Sequence, residues 1–160
     1  MLVSKKDTVT DIQMINQVLD HCDTIHLGLR DGERVYVVPV HFAYGENNGQ
    51  YTFYFHGGPH GRRYELIQKT HYAAFELNSG QQLHRGGNIA SNWSAAYQSV
   101  LGEGKVSLLE TNNEKKDALK LMMNHYAGTT DFVFPKDHLT YVQVYKLQAT
   151  DLSCQIHTPH

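Results

Sequence analysis

The sequence predicts a mostly β, α+β fold. It reads as one domain over residues 1–160, a small antiparallel barrel of six or seven strands with flanking helices. Three observations predict it. Apolar residues alternate with a period of two through much of the chain: Ile25, Leu27 and Leu29 interleave with His26, Gly28 and Arg30. Asp31-Gly32 ends that run as a two-residue hairpin signal. Helical periodicity fills only two long stretches and one short one, too few to alternate with strands in a parallel sheet. Closing such a sheet into a barrel is expected to remove its open edges.

The elements follow in order. Thr10 with Gln13 forms a capping box for a first helix, whose apolar stripe is Ile12, Ile15, Val18 and Leu19. The hairpin at Asp31-Gly32 pairs Arg30 with Glu33, and its return strand runs over 34–44. Ile25 and Leu27 then share the core face with Tyr36, Val38, Val40 and Phe42. His26, Gly28, Val35, Val37, Pro39 and His41 take the opposite face. Pro39 lacks a ladder donor and belongs at an edge or a bulge. Residues 45–50 form a loop, 51–56 a strand, 64–69 a short helix and 72–77 another strand. Residues 78–96 are polar, glycine-rich and without periodicity, and read as a long loop carrying the lone tryptophan, Trp93. A strand over 97–109 is broken at Gly102-Glu103-Gly104. Thr111 with Glu114 caps a helix whose stripe is Ala118, Leu119, Met122, Met123 and Tyr126, and Gly128 stops it. Strands over 139–147 and 149–156 close the sheet.

Composition narrows the function classes. The formal net charge is -2, and the 14 Lys and Arg are scattered, so no basic tract is present to follow a nucleic acid. No apolar run reaches the roughly 20 residues of a membrane span, and residues 1–10 are too polar for a signal peptide. Two isolated cysteines, Cys22 and Cys154, lead us to expect a reduced, cytoplasmic protein. Eleven histidines raise the question of a metal. His56 and His60 are four apart, but Gly57-Gly58-Pro59 forbids the helix that would align them. His26 and His41 fall far apart along the hairpin, so no metal site is expected.

The most informative segment is Tyr54-Phe55-His56-Gly57-Gly58-Pro59-His60-Gly61-Arg62-Arg63. A strand enters a glycine-rich turn and leaves as a helix. Glycines let backbone N–H groups approach an anion, the helix start adds its positive dipole end, and an arginine forks two donors onto phosphate oxygens. The segment reads as a phosphate grip made by Gly57, Gly58, Gly61, Arg62 and Arg63. The competing reading is a plain turn with solvated arginines.

Four motifs in order carry a resemblance: Val37-Val38-Pro39-Val40-His41-Phe42; Tyr54-Phe55-His56 with Gly61-Arg62-Arg63; Trp93-Ser94 with Tyr97-Gln98-Ser99-Val100 and Gly102; and Glu114-Lys115-Lys116 through His125-Tyr126. Over residues 5–150 the chain resembles the split-barrel FMN-binding proteins related to pyridoxamine-phosphate oxidase, in the branch that contains nitroimidazole-resistance proteins. The resemblance implies a six-stranded antiparallel split β-barrel and a homodimer with FMN at the subunit interface. By position, Val38, Pro39, Val40 and His41 would border the isoalloxazine. His56, Gly57 and Gly58 would pass beside ring and ribityl, Arg62 and Arg63 would hold the phosphate, and Ser99 would offer a hydroxyl. Trp93 would cap the ring or anchor its own loop.

The chain also departs from the family pattern. Gly57-Gly58 replaces a usual Ser-Ala, Arg63 a frequent lysine, and Ser91-Asn92-Trp93 a Cys-Asp-Trp. The C-terminal Arg-x-His of true pyridoxamine-phosphate oxidases is missing, so that activity is not expected. The expected activity is reduction of small electron-poor molecules, nitroaromatic or quinone in type, with electrons from NAD(P)H. His56 is the candidate proton donor; alternatively, only its backbone meets the cofactor. A non-catalytic flavin-binding or flavin-sensing protein, or a barrel for haem or a deazaflavin, are the other readings.

Overall fold

In a computed structural model describing residues 7–158, eight strands and four helices form the fold. They run β1 (Thr8–Val9), α1 (Ile12–Asp20), β2 (Ile25–Asp31), β3 (Arg34–Val40), β4 (Ala43–Asn47), β5 (Gln50–Gly57), α2 (Arg62–Thr70), β6 (Tyr72–His84), β7 (Ser94–Leu108), α3 (Asn112–Ala127), α4 (Lys136–Tyr141) and β8 (Gln143–His157). All pairings are antiparallel, in the order β3-β2-β6-β7-β8-β5-β4, with β1 added to β8. The two edge strands β3 and β4 are consecutive in the chain and joined only by His41-Phe42. A two-residue link cannot cross a flat sheet of seven strands, so the sheet curls to bring the linked ends of β3 and β4 together without pairing the two strands. Inside lie Leu27, Phe42, Phe53, Phe55, Leu77 and Tyr145, all fully or nearly fully buried.

The mostly β, barrel-like reading stands, and the count rises from six to eight. One reason is the return strand expected over 34–44, which breaks at His41-Phe42 into β3 and β4. The N–H of Phe42 leaves the ladder and donates to Tyr126 Oη at 2.9 Å instead. Closure is also incomplete. β3 remains an edge with Val35 71% and Val37 62% exposed, and Pro39 sits on it, as a residue without a donor should.

Other boundaries move for physical reasons. Asp11, not Thr10, caps α1, its side chain accepting from the N–H of Met14 at 2.9 Å. The hairpin pairs Asp31 with Arg34 rather than Arg30 with Glu33. That slides β3 by two residues and therefore preserves every face. Most of the expected loop over 78–96 is ladder: β6 continues to His84 and β7 begins at Ser94, with an irregularity between Ser79 and Gln82. Leu139 is not in a strand but is the buried residue of α4, and β8 runs unbroken through the two closing strands. The break at Gly102-Glu103-Gly104 is a bulge against β8, where a Cβ on Gly104 would lie 2.0 Å from the Gln148 carbonyl oxygen.

α3 fits its sequence signals closely. Thr111 and Glu114 make both arms of the capping box, and Gly128 ends the helix at φ 67°. Its inner face covers Tyr54 and Val144 on the outside of β5 and β8. Lys115 is buried without a carboxylate partner; its Nζ donates to the carbonyls of Leu139 at 3.1 Å and Val142 at 2.8 Å, tying α4 to α3.

Candidate functional site

The site grows from the end of β5. Phe55 points into the core and His56 points out, toward the side that α3 covers. The β4–β5 ladder pairs Ala43 with Tyr54. The ladder stops there, and His41 lies in the link between β3 and β4, outside the pairing. The ring of His41 meets the Tyr126 ring edge-on, 5.1 Å between centroids. Tyr126 is itself fixed, since its hydroxyl donates to the Asp23 carbonyl at 2.8 Å while accepting from Phe42 N–H. Beside it, His125 Nε2 lies 2.9 Å from the Cys22 carbonyl oxygen. Four residues near the end of the barrel are thus held by one helix end.

Past Gly57 the chain turns into α2. Gly61 is the N-cap at φ 107°, a conformation that favours glycine, and no side chain caps the helix. The first-turn N–H groups are left for solvent or an anion. A Cβ on Gly58 or Gly61 would meet nothing within 4 Å, so the backbone there is open. A Cβ on Gly57 would lie 1.7 Å from Arg63 Nη2: the guanidinium fills the space a side chain would need. The same Nη2 donates to the His56 carbonyl at 3.2 Å.

The two arginines divide their work. Arg62 donates to Asp31 Oδ2 and lies 4.8 Å from the centre of the Tyr36 ring, bracing α2 against the β2–β3 hairpin. That bond holds the Asp31 carboxyl below the usual range. Arg63 faces the Gly57 turn. The His56 ring is exposed at its outer edge, but the protein behind it desolvates the rest, and this, then the charges of Arg63 and His41, lowers its pKa.

The remaining expected site residues divide by place. Val38 and Val40 turn toward the core, Pro39 turns outward opposite His26, and Val40 leads directly into His41. Ser99 and Trp93 do not join His56 within one chain. Ser99 pairs with Gln155 on β8 whereas His56 pairs with Val144, eleven residues away, about 36 Å of extended strand. Trp93 follows the β6–β7 hairpin tip, its Nε1 donating to the Gly87 carbonyl at 2.8 Å and so anchoring its own loop. Tyr126 and Asp31 belong to the site region but read in the sequence only as helix packing and as a turn. The signal for Tyr126 was its place beside His125 at the helix end.

Other hollows lie elsewhere on the surface. One of about 760 Å³ lies outside β2 and β6, lined by Gly28, Arg30, Val35, Ala74 and Glu103. Its two carboxylates, Glu33 and Glu103, share it with the cations of Arg30 and Arg34. Among the described residues no three histidine, cysteine or acidic side chains cluster as metal ligands. Cys22 and Cys154 are free and buried, and burial lifts Cys154 to about 11. No described helix is long and apolar enough to cross a membrane.

Known proteins resemble this arrangement. A candidate 5-nitroimidazole antibiotic resistance protein from Bacteroides thetaiotaomicron superposes with a TM-score of 0.80 at 28% identity, covering 93% of this chain and 86% of that one. The flavocytochrome Anf3 from Azotobacter vinelandii gives 0.78 at 18% identity, with 98% and 72% covered. The FAD and heme binding protein from Mycobacterium smegmatis gives 0.80 at 14% identity, with 97% and 76% covered. The last two share the fold alone. No curated protein matches the chain. A family model described as pyridoxamine 5'-phosphate oxidase matches residues 11–156, nearly the whole barrel together with the glycine turn and its two arginines, and the chain belongs to that family.

Proposed function

We propose that the protein binds FMN and reduces small electron-poor molecules, nitroaromatic or quinone in type, with electrons from NAD(P)H. The observation that carries this is the uncapped start of α2 behind the open backbone of Gly58 and Gly61, with Arg63 laid over Gly57. These groups suit a terminal phosphate monoester, which favours FMN over a dinucleotide. In this reading Arg63 and the first-turn N–H groups bind the phosphate, Arg62 keeps α2 in place, and Val40, His41 and His56 lie along the ring. Bound FMN supplies the hydride chemistry; the chain supplies position and a proton. Flavin binding is stated for similar folds from A. vinelandii and M. smegmatis, and resistance to 5-nitroimidazoles for the B. thetaiotaomicron candidate. Ser99 and Trp93 serve the site only from a second copy, which supports a homodimer with the cofactor between protomers. Two buried thiols suit a reducing cytoplasm.

The test is the visible spectrum of freshly purified protein, then heat release and chromatography of the chromophore against FMN and FAD. One FMN per chain, lost in the Arg62→Ala/Arg63→Ala double variant, supports the reading. A Soret band, or stoichiometric FMN retained by that variant, overturns it. Anaerobic turnover of NAD(P)H with a nitroaromatic or quinone separates a reductase from a protein that only binds flavin.

A further inference from the structure

We propose that His26, oriented by Glu76, heads a second ligand site: a hollow on the outer face of β2 and β6 that takes a small planar ring carrying a nitro, quinone or hydroxyl oxygen. The hollow and its polar row rest on the chain alone. That the bound ring is the acceptor of the proposed reductase rests on that reading.

The polar row runs from β6 to β2. Gln81 Nε2 donates to Asn78 Oδ1 at 2.6 Å, and Asn78 Nδ2 donates to Glu76 Oε1 at 2.7 Å. The other carboxylate oxygen, Oε2, lies 3.1 Å from His26 Nδ1, across the ladder pair that joins the two residues. Each group restrains the next, and a carboxylate held by one oxygen orients an imidazole with the other. Nδ1 is shut off from solvent, yet the His26 side chain is 40% exposed. What the ring presents is therefore its edge beyond Nδ1, which carries Nε2.

His26 lines a hollow of about 510 Å³ together with Gly28, Val37, Ala74 and Asn78. Its floor is nearly bare sheet: Gly28 pairs with Ala74, and a Cβ on Gly28 would reach the Ala74 Cβ at 3.7 Å. Val37 pairs with Gly28 from the other side and stands as the apolar wall. A bare floor, an aliphatic wall and one oriented nitrogen suit a flat ring laid on the sheet with its oxygen at His26. Nε2 donates to a nitro or quinone oxygen when the imidazole carries both hydrogens, and accepts from a hydroxyl when Nε2 is bare. His26 is also the ladder partner of Pro39, and directly opposed side chains have Cβ atoms about 5 Å apart. Pro39 precedes Val40, placed along the cofactor ring above, so the hollow adjoins the same stretch of edge strand. A second copy packed on this face would enclose the ligand between protomers, where the cofactor is proposed to lie. His26 meets the ligand; Glu76 acts through His26 and is a positioning residue.

The experiment measures binding of two probes, 4-nitrobenzyl alcohol and duroquinone, to the purified protein without NAD(P)H, so that nothing turns over. Calorimetry reads affinity, and NMR shifts of the histidine Cε1–H and alanine methyl resonances read the place. Binding should move the resonances of His26 and Ala74. His26→Phe keeps a ring but removes the nitrogen, and should weaken both probes about tenfold, the contribution of one hydrogen bond. Glu76→Gln keeps the Asn78 contact and loses the charge that orients the imidazole, so it should weaken them by a smaller factor. The double variant should bind no worse than His26→Phe, because Glu76 has no other route to the ligand. Both single variants should keep the FMN content of the wild type. Unchanged affinity in a folded His26→Phe overturns the site, and so do shifts confined to other residues. The shift map needs no variant and decides alone if a variant fails to fold. Colourless protein that binds the probes at His26 overturns the cofactor assignment and leaves the hollow standing. FMN-loaded protein that binds them elsewhere does the reverse.

Discussion

Gly57 shows how much one missing side chain can do. Its neighbours Gly58 and Gly61 face open space, but Gly57 lends its Cβ volume to the Arg63 guanidinium. The intruding atom is the end of a flexible side chain, so alanine there moves Arg63 rather than the backbone. Gly57→Ala is therefore expected to fold with a thermal midpoint within a few degrees of wild type. Its FMN affinity should fall at least about tenfold, roughly 1.4 kcal/mol, because the cation leaves its place beside the turn. Fluorescence titration with FMN and a melting curve check both halves, and unchanged affinity would show that Arg63 does not need this position. The sequence made the glycines legible as a turn near an anion, and the paired arginines as its cations. It could not separate Arg62 from Arg63. That division depends on Asp31 and Tyr36, which reach α2 only through the β2–β3 hairpin.

At the scale of elements, local chemistry was readable wherever a signal was complete within a few residues. α3 is the clearest case, because Thr111, Glu114 and Gly128 each act through the backbone next to them. Strand limits were harder. Residues 78–84 lack alternation because their ladder stands beyond the core: the inner apolar run stops at Leu77, and pairing with β7 holds the rest. α4 was missed because Leu139 and Tyr141 fit a period of two as well as a short helix, and the deciding bonds come from Lys115, over twenty residues earlier. The cap of α3 gives a measurable expectation. Thr111→Ala removes the side-chain acceptor for the Glu114 N–H and should cost about 1 kcal/mol, or 2–4 °C in Tm for a chain of this size. The Thr111 hydroxyl, then its backbone N–H, hold the Glu114 carboxyl below its ordinary pKa. A carboxyl lowered in the folded state adds stability above its unfolded pKa and loses it as pH falls through the folded one. The gap between variant and wild type should therefore narrow in acid, and a gap constant from neutral pH to pH 3 would contradict the box.

Across the whole molecule, the barrel keeps one edge that a lone chain leaves bare. Val35 and Val37 point outward from β3, beside a furrow whose floor is the paired Gly28 and Ala74. Solvent-exposed edges of this kind normally carry lysine, proline or a cover. Pro39 lies at one end only. Along the outer face of β2, Gly28 is flanked two residues either way by His26, 3.1 Å from Glu76, and by Arg30. A two-fold axis through Gly28 would bring Arg30 of each copy to the His26–Glu76 pair of the other, while Glu33 and Glu103 stay near Arg30 at the furrow's far end. This face is where we place the proposed homodimer, and the length of the sheet gives it a second purpose. Ser99 stands some eleven residues of strand from the His56 row, so only an antiparallel neighbour could carry it to a phosphate grip. Val37→Lys should then weaken dimerisation at least about tenfold, since the new charge would be buried against a furrow built of small residues, and leave the fold intact. Light scattering across a dilution series reads the association, and circular dichroism reads the fold. FMN bound by the wild-type dimer should dissociate in parallel as the variant becomes monomeric. A variant that stays dimeric at wild-type affinity would move the interface off β3, and the partner's Ser99 would lose its route to the site.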